Sequence, residues 1–309
     1  MSPRIKTQAG KPPGMLFICL VLIAMLVLYP LAGAALTLLA TGGRLVGLDS
    51  GNLDVAMLPR LRAAQAIGQV LALALPAILL AGRHSGSRTP FSAGNFAWLG
   101  ISWPVRLLQL LMASAGMLLL QPLMYSIVEV QNLLLPFFGE AGKAMLRNQQ
   151  RLDQFISWIA SSDSLPGFME VAAVLAVTPA LCEELFFRGY VQKSFSSILS
   201  PLRAVLLTGF VFALFHMEPS NLLPLTLLGW YIGYIYLKSG NLAVPAVAHG
   251  TNNLAALLFL QGDRLISGIP LLSGGQGIVS MWQWWVFVLV SLVLFFVLLP
   301  RFTEPTASA

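Results

Sequence analysis

The chain has 309 residues, 57% of them hydrophobic and only 10% charged, with a net charge of +6. An average soluble domain is roughly 45–50% apolar and about 25% charged, so a water-soluble fold is excluded, together with the disordered, collagenous and disulfide-scaffold classes. The basic residues are scattered through short loops, which is what membrane topology requires and gives no surface for nucleic acid.

A transmembrane helix needs about 20 mostly apolar residues. That rule predicts eight spans, at 15–40, 63–81, 105–127, 168–190, 202–217, 222–238, 242–260 and 281–299. The first follows Arg4, Lys6 and Lys11 and has the charge pattern of a secretory signal. A signal core runs only about 7–15 residues, and the Ala-Gly-Ala-Ala stretch at 32–35 is a weak cleavage site inside a longer run. The segment therefore reads as an uncleaved first helix. The fifth and sixth spans are short and close together, so their boundaries are the least defined. No internal repeat is visible, and residues 1–309 read as one integral membrane domain of all-α class. Cys19 and Cys182 both lie in apolar runs and have no metal-type spacing.

Eight spans put both termini on one side. With the N-terminus in the cytoplasm, eleven cations fall at or near that face: Arg4, Lys6, Lys11, Arg83, Arg88, Arg106, Arg188, Lys193, Arg203, Lys238 and Arg301. Seven fall opposite: Arg44, Arg60, Arg62, Lys143, Arg147, Arg151 and Arg264. This bias favours cytoplasmic N- and C-termini. The one long connection is 128–167. Its stretch from Glu140 to Ile159 places Met145, Leu146, Leu152, Phe155, Ile156 and Trp158 at helical spacing among charges, the pattern of a helix lying in the interface. Two readings stand: a topological connector, or a lid over the bundle.

The fourth span runs Val-Thr-Pro-Ala-Leu-Cys-Glu-Glu-Leu-Phe-Phe-Arg-Gly-Tyr from Val177 to Tyr190. A charged residue at the centre of a span costs about 2.5–3.5 kcal/mol on insertion scales. Glu184 and Arg188 are four apart and share a helix face, in the favourable order for an ion pair. Glu183 points about 100° away and is left without that partner. The bland alternative, that all three residues merely anchor the helix at the interface, suits Arg188, which can snorkel. It suits two adjacent short glutamates poorly.

The fifth span ends with Phe212 and His216 one turn apart, and the seventh carries His249 and Asn253 one turn apart. A lone intramembrane histidine is often a packing residue, but two of the chain's three histidines lie inside spans. The third, His84, lies in a polar loop and reads as an ordinary solvated side chain. Counting inward from the flanking cations at 1.5 Å per residue gives depths of about 15 Å for Glu183, about 20 Å for His216, about 14 Å for His249 and about 20 Å for Asn253. Three helices thus carry polar groups to a similar level.

A carboxylate, two imidazoles and a carboxamide suit hydrolysis by an activated water. The carboxylate acts as general base, and a second histidine and the asparagine can donate to an oxyanion. No serine or cysteine stands beside a histidine with nucleophile-elbow spacing, and the glycine-rich piece Ser273–Gly277 lacks the lysine of a phosphate loop.

Glu183-Glu184-x-x-x-Arg188, Phe212-x-x-x-His216 and His249-x-x-x-Asn253, in that order on three spans, resemble the motifs of the CPBP family. These are the CAAX-protease and bacteriocin-processing (Abi) intramembrane proteases, including the type II Ras-converting prenyl protease. The likeness covers roughly 177–255, within a motif region of about 168–260. It implies an eight-helix bundle around a cavity opening toward membrane and cytoplasm, and an intramembrane endopeptidase. Glu183 and His216 would activate water, and His249 and Asn253 would form the oxyanion site. Glu184 and Arg188 would fix the helix, and Phe212 would shape the cavity wall. The implied partners are a membrane-associated peptide or protein substrate and the lipid bilayer, the implied location a bacterial cell (inner) membrane.

The family has also been classed among metalloendopeptidases. If zinc is used, Glu183, His216 and His249 would be its ligands. The spacing is not His-Glu-x-x-His, so a mechanism without cofactor or metal is expected. Two other readings compete: a non-catalytic binding or immunity (Abi-type) protein, and a proton-coupled transporter, for which no inverted repeat speaks.

Overall fold

The computed structural model describes residues 12–43, 54–87, 89–265 and 278–302. Among them every regular element is helical. The cations Arg4, Lys6, Lys11, Arg44 and Arg88 and the glycine-rich Ser273–Gly277 lie outside the described residues, as does the side chain of Arg264.

The helices are α1 (Met15–Ala40), α2 (Val55–His84), α3 (Leu107–Leu134), α4 (Gly139–Ile159), α5 (Leu165–Ser196), α6 (Pro201–Phe215), α7 (Leu222–Ser239), α8 (Ala243–Leu265) and α9 (Trp282–Leu298). A six-residue helix, Ala93–Trp98, joins α2 to α3. Each predicted span falls on one of these helices, and α4 is the helix expected between the third and fourth spans. Among the described residues six helical segments are long and apolar enough to cross a bilayer: α1, α2, α5, α8, α9 and the run containing α3. The chain is a polytopic all-α membrane protein. The predicted fifth span, α6, has only 15 residues.

The outward faces of α1 and α9 are lined with leucine, valine and phenylalanine, including Leu16, Leu39, Leu289 and Phe296, all exposed. In lipid such surface needs no burial; packing and hydrogen bonds decide which helices associate. The core lies elsewhere, around α5, where Phe186, Phe187, Phe212 and Phe215 stack edge to face.

Two helices widen locally. Val70–Ala74 in α2 and Ala173–Val177 in α5 are π-helical, and each is followed within two residues by a proline, Pro76 or Pro179. A proline ring clashes with the carbonyl four residues back. Here those carbonyls belong to Ala72 and Leu175, inside the widened turns, so the wider helix accommodates the ring without breaking the span. Leu185–Gln192 in α5 is π-helical as well.

The α6–α7 pair crosses closely because two glycines meet. A Cβ on Gly209 would lie 2.5 Å from Trp230 Cδ1, and one on Gly229 would lie 2.7 Å from the Gly209 Cα. α3 ends in a 3-10 turn containing Pro136, and Gly139, at φ +65°, turns the chain into α4. α4 lays Phe155, Trp158 and Ile159 against Met57, Leu58 and Leu61 of α2. Arg62, expected as a loop cation, is instead buried at the end of α4. It donates to the Ile159 carbonyl at 2.9 Å and to the Ser161 carbonyl, and lies 3.7 Å from Glu170. Gln261 of α8 donates to the Ala160 carbonyl at 2.9 Å. α4 is therefore fastened at one end to two membrane helices.

Candidate active site

The middle of α5 carries the charges. Glu184 and Arg188 are fully buried and pair at 2.8 Å, as the i,i+4 spacing predicts. Arg188 also donates to the Gly229 carbonyl at 3.2 Å and sits 4.6 Å over the Phe212 ring. The glycine contact that lets α6 and α7 approach thus also leaves a backbone acceptor open to the arginine. A buried pair of this kind holds only when further hydrogen bonds compensate its desolvation.

His249 completes the group. Its Nδ1 lies 2.8 Å from Glu184 Oε1, the oxygen that already accepts from Arg188. With Glu184 accepting, Nδ1 carries a proton, and Nε2 faces Glu183, 3.9 Å from Oε2. The adjacent glutamates therefore do different things. Glu184 is locked between Arg188 and His249. Glu183 is buried, accepts a 3.4 Å hydrogen bond on Oε1 from Gln69 of α2, and has its Oε2 buried without a hydrogen-bond partner.

Phe212 links the two imidazoles. Its ring lies 4.7 Å from that of His216 and 5.8 Å from that of His249, edge to face in both cases. His216 caps the end of α6, exposed, with Nδ1 2.9 Å from the Phe212 carbonyl, and is followed by Met217 at φ +51°. A positive φ on a methionine marks strain beside the histidine. No hydrogen bond joins Glu183 to His216 among the described residues; His249 is the imidazole nearest Glu183.

Asn253 lies one turn beyond His249. Its Oδ1 accepts from Asn252 at 3.1 Å, and Asn252 Oδ1 accepts from Gln121 of α3 at 2.8 Å. This ladder occupies the Asn253 oxygen and leaves the Nδ2 end as the donor. Beside it, Ser114 and Thr251 pair at 2.9 Å. Gln69, Gln121 and Asn252 are polar residues inside apolar runs that the motif reading passed over. Their signal was the same misplaced polarity that marked the glutamates, without a charge to draw attention.

Among the described residues, no group of three His, Cys, Asp or Glu side chains is placed to hold a metal ion. His249 Nδ1 is engaged by Glu184 and His216 Nδ1 by a backbone carbonyl, which leaves Nε2 of each ring as the nitrogen that a metal would take. Two surface recesses lie away from this group. One, of about 570 Å³, is lined by Asp153, Trp158 and Asp163 of the α4 region; the other, of about 260 Å³, by His84, Trp98 and Lys193. His84 is not simply solvated: it is half-buried between Phe17 and Tyr190, at 5.6 and 6.2 Å between ring centroids. The end of α2 returns beside the start of α1 and covers it. Cys19 and Cys182 are both free thiols.

Residues 166–255 match the family model described as type II CAAX prenyl endopeptidase Rce1-like. The segment contains Glu183, Glu184, Arg188, Phe212, His216, His249 and Asn253 and leaves out Gln69 and Gln121. The chain is also similar to the uncharacterized protein YyaK of Bacillus subtilis (strain 168), 27% identical over 135 residues, or 40% of this chain and 45% of that protein. It is 37% identical over 82 residues to the UPF0177 protein YxdF of Lactococcus lactis subsp. lactis (strain IL1403), or 26% of this chain and 45% of that protein. The chain thus spans less than half the length of these curated relatives. No solved structure matches it.

Proposed function

We propose, for a chain whose residues 166–255 match the Rce1-like, type II CAAX prenyl endopeptidase family model, that it is an intramembrane endopeptidase hydrolysing a peptide bond of a membrane-associated protein or peptide. The observation that carries the proposal is the unequal treatment of two adjacent buried glutamates. Glu184 Oε1 is held by both Arg188 and His249, whereas Glu183 Oε1 accepts only a 3.4 Å hydrogen bond from the neutral Gln69; Oε2 of each is buried without a hydrogen-bond partner.

In the proposed reaction Glu183 takes a proton from a water as the water oxygen attacks the peptide carbonyl carbon. The resulting oxyanion accepts hydrogen bonds from Asn253 Nδ2 and from His249 Nε2, which for this step carries a proton in addition to the Nδ1 proton held by Glu184; such donors are worth about 2.7–4 kcal/mol each in a comparable acyl transfer. The carbon–nitrogen bond then breaks, and the leaving amine takes the proton that Glu183 acquired. His216, exposed at the end of α6 and in contact with Phe212, would hold the water or the substrate at the mouth of the site. Glu184 and Arg188 hold His249 in place, and Phe212 spaces the two imidazoles. No step of the proposed route passes through a metal. Cytoplasmic termini and a bacterial cell membrane location complete the proposal.

The test compares membrane peptides and proteins from cells carrying wild type or Glu183→Gln, with a prenylated CAAX peptide as a second probe of the purified protein. Fragments that vanish with Glu183→Gln support the endopeptidase; unchanged cleavage overturns it. Protection against a toxic peptide that survives the same substitution would support the non-catalytic immunity reading instead. Recovery of a chelator-inactivated sample on adding zinc would overturn the metal-free route.

A further inference from the structure

Gln69 lies on α2, outside both the matched segment and the three sequence motifs. It is 3% exposed. Its Nε2 donates to the Tyr29 hydroxyl of α1 at 2.8 Å and to Glu183 Oε1 of α5 at 3.4 Å. Its own carbonyl oxygen, Oε1, is buried without a partner, and so is Glu183 Oε2. Leaving one buried acceptor unpaired costs about 1–3 kcal/mol, and native structures retain few such groups without a reason. Here two occur on side chains that touch, with Glu184 Oε2 a third in the same cluster.

The residue's position is itself built. Gln69 immediately precedes the π turn Val70–Ala74, and Glu183 follows Pro179 and the π turn Ala173–Val177. The two widened helices pack against each other there, so both proline-linked distortions face the junction where amide and carboxylate meet. With the amide nitrogen engaged by two oxygens, the orientation of the carboxamide is set and its carbonyl must point elsewhere.

We infer that Gln69 is a positioning residue for the water that Glu183 activates, its Oε1 and Glu183 Oε2 accepting the two protons of one water molecule. Both O–H bonds then point into α2 and α5, and the lone pairs of the water face the substrate. The proton lost on attack is the one already directed at Glu183, so the step balances without another acceptor. The inference rests on the endopeptidase reading of the same site and adds to it a residue from a helix that the motifs do not include.

The test uses the full chain in lipid nanodiscs with Glu183→Gln, Gln69→Leu, Gln69→Met and Tyr29→Phe. The first readout is the infrared carboxyl band of Glu183, identified by its loss in Glu183→Gln, and its shift on exchange from H2O to D2O. The second is kcat and KM for the peptide whose cleavage depends on Glu183. Gln69→Leu is expected to change the solvent-exchange shift of the band and to lower kcat about 10- to 100-fold with KM near wild type, as misplacing a reacting group does. Tyr29→Phe, which cuts the tie between α1 and α2 but keeps the Gln69 carbonyl, should lower kcat less than Gln69→Leu. A Gln69→Leu protein with an unchanged band and unchanged kcat overturns the inference while leaving the Glu183 assignment intact. Cleavage that survives Glu183→Gln removes the underlying reading first. If Gln69→Leu does not fold, Gln69→Met, with a flexible apolar chain of similar length, takes its place in both measurements.

Discussion

α5 and α9 are both apolar helices of membrane-spanning length, and they differ in what surrounds them. α9 contains no charged residue, and most of its side chains, among them Trp285, Phe287, Leu289 and Val293, are exposed. α5 buries Glu183, Glu184 and Arg188, is widened into π geometry twice, and is surrounded by α2, α6, α7 and α8. Lipid supplies α9 with most of its environment, and almost any apolar side chain serves there. It can supply nothing to the α5 charges, whose environment must be built from Gln69, His249, the Gly229 carbonyl and the Phe212 face. A helix that lipid solvates is specified by hydropathy. A helix with buried charges is specified by its partners.

The comparison is tested most severely at Glu183. Glu183→Gln keeps size and burial but removes the base, and a general base is worth about 10²–10⁴ in rate. Cleavage should fall by that order while helix content and thermal midpoint in detergent stay near wild type. A large loss of midpoint instead would show Glu183 to be part of the structural cluster, as Glu184 is.

Arg188→Met comes next, with its main effect on stability. It leaves Glu184 buried beside His249 without its arginine and the Gly229 carbonyl without its side-chain donor. Breaking a buried pair from one side costs about 3–5 kcal/mol, which equilibrium unfolding in mixed micelles would register. By contrast Val293→Leu on α9 should stay within about 0.5 kcal/mol. Comparable losses at both positions would refute the distinction between the two helices.

Most of the fold was legible because bilayer thickness fixes span length, so all eight apolar runs lie on helices, and the Glu184–Arg188 pair followed from i,i+4 spacing alone. The partners of the glutamates were less legible. That His249 reaches both carboxylates depends on how α8 is rotated against α5, which no one-helix rule gives. Gln69 and the Gln121–Asn252–Asn253 ladder are neutral, so hydropathy scarcely registers them. In the sequence Arg62 reads as a topology signal, because a sequence cannot say that the carbonyls ending α4 come back to meet it.

The smallest effect belongs to α4, the charge-rich helix between the third and fourth apolar runs. Asp153 of α4 has its carboxyl held above the ordinary carboxylate range, first by partial desolvation and then by repulsion from Glu218 in the α6–α7 turn. Asn148 of α4 also reaches Glu218, at 3.4 Å. The folded protein therefore holds the Asp153 proton more tightly than the unfolded chain does. By linkage, the stabilisation is complete below the ordinary carboxylate range and is lost as pH rises through the raised value. Asp153→Asn, which cannot ionise, should melt at a higher temperature than wild type at neutral pH, and the difference should vanish in acid. Because water reaches this acid, the gain should be far smaller than the loss at Arg188. If it is as large, the depth of a charge in the membrane is not what sets α5 apart.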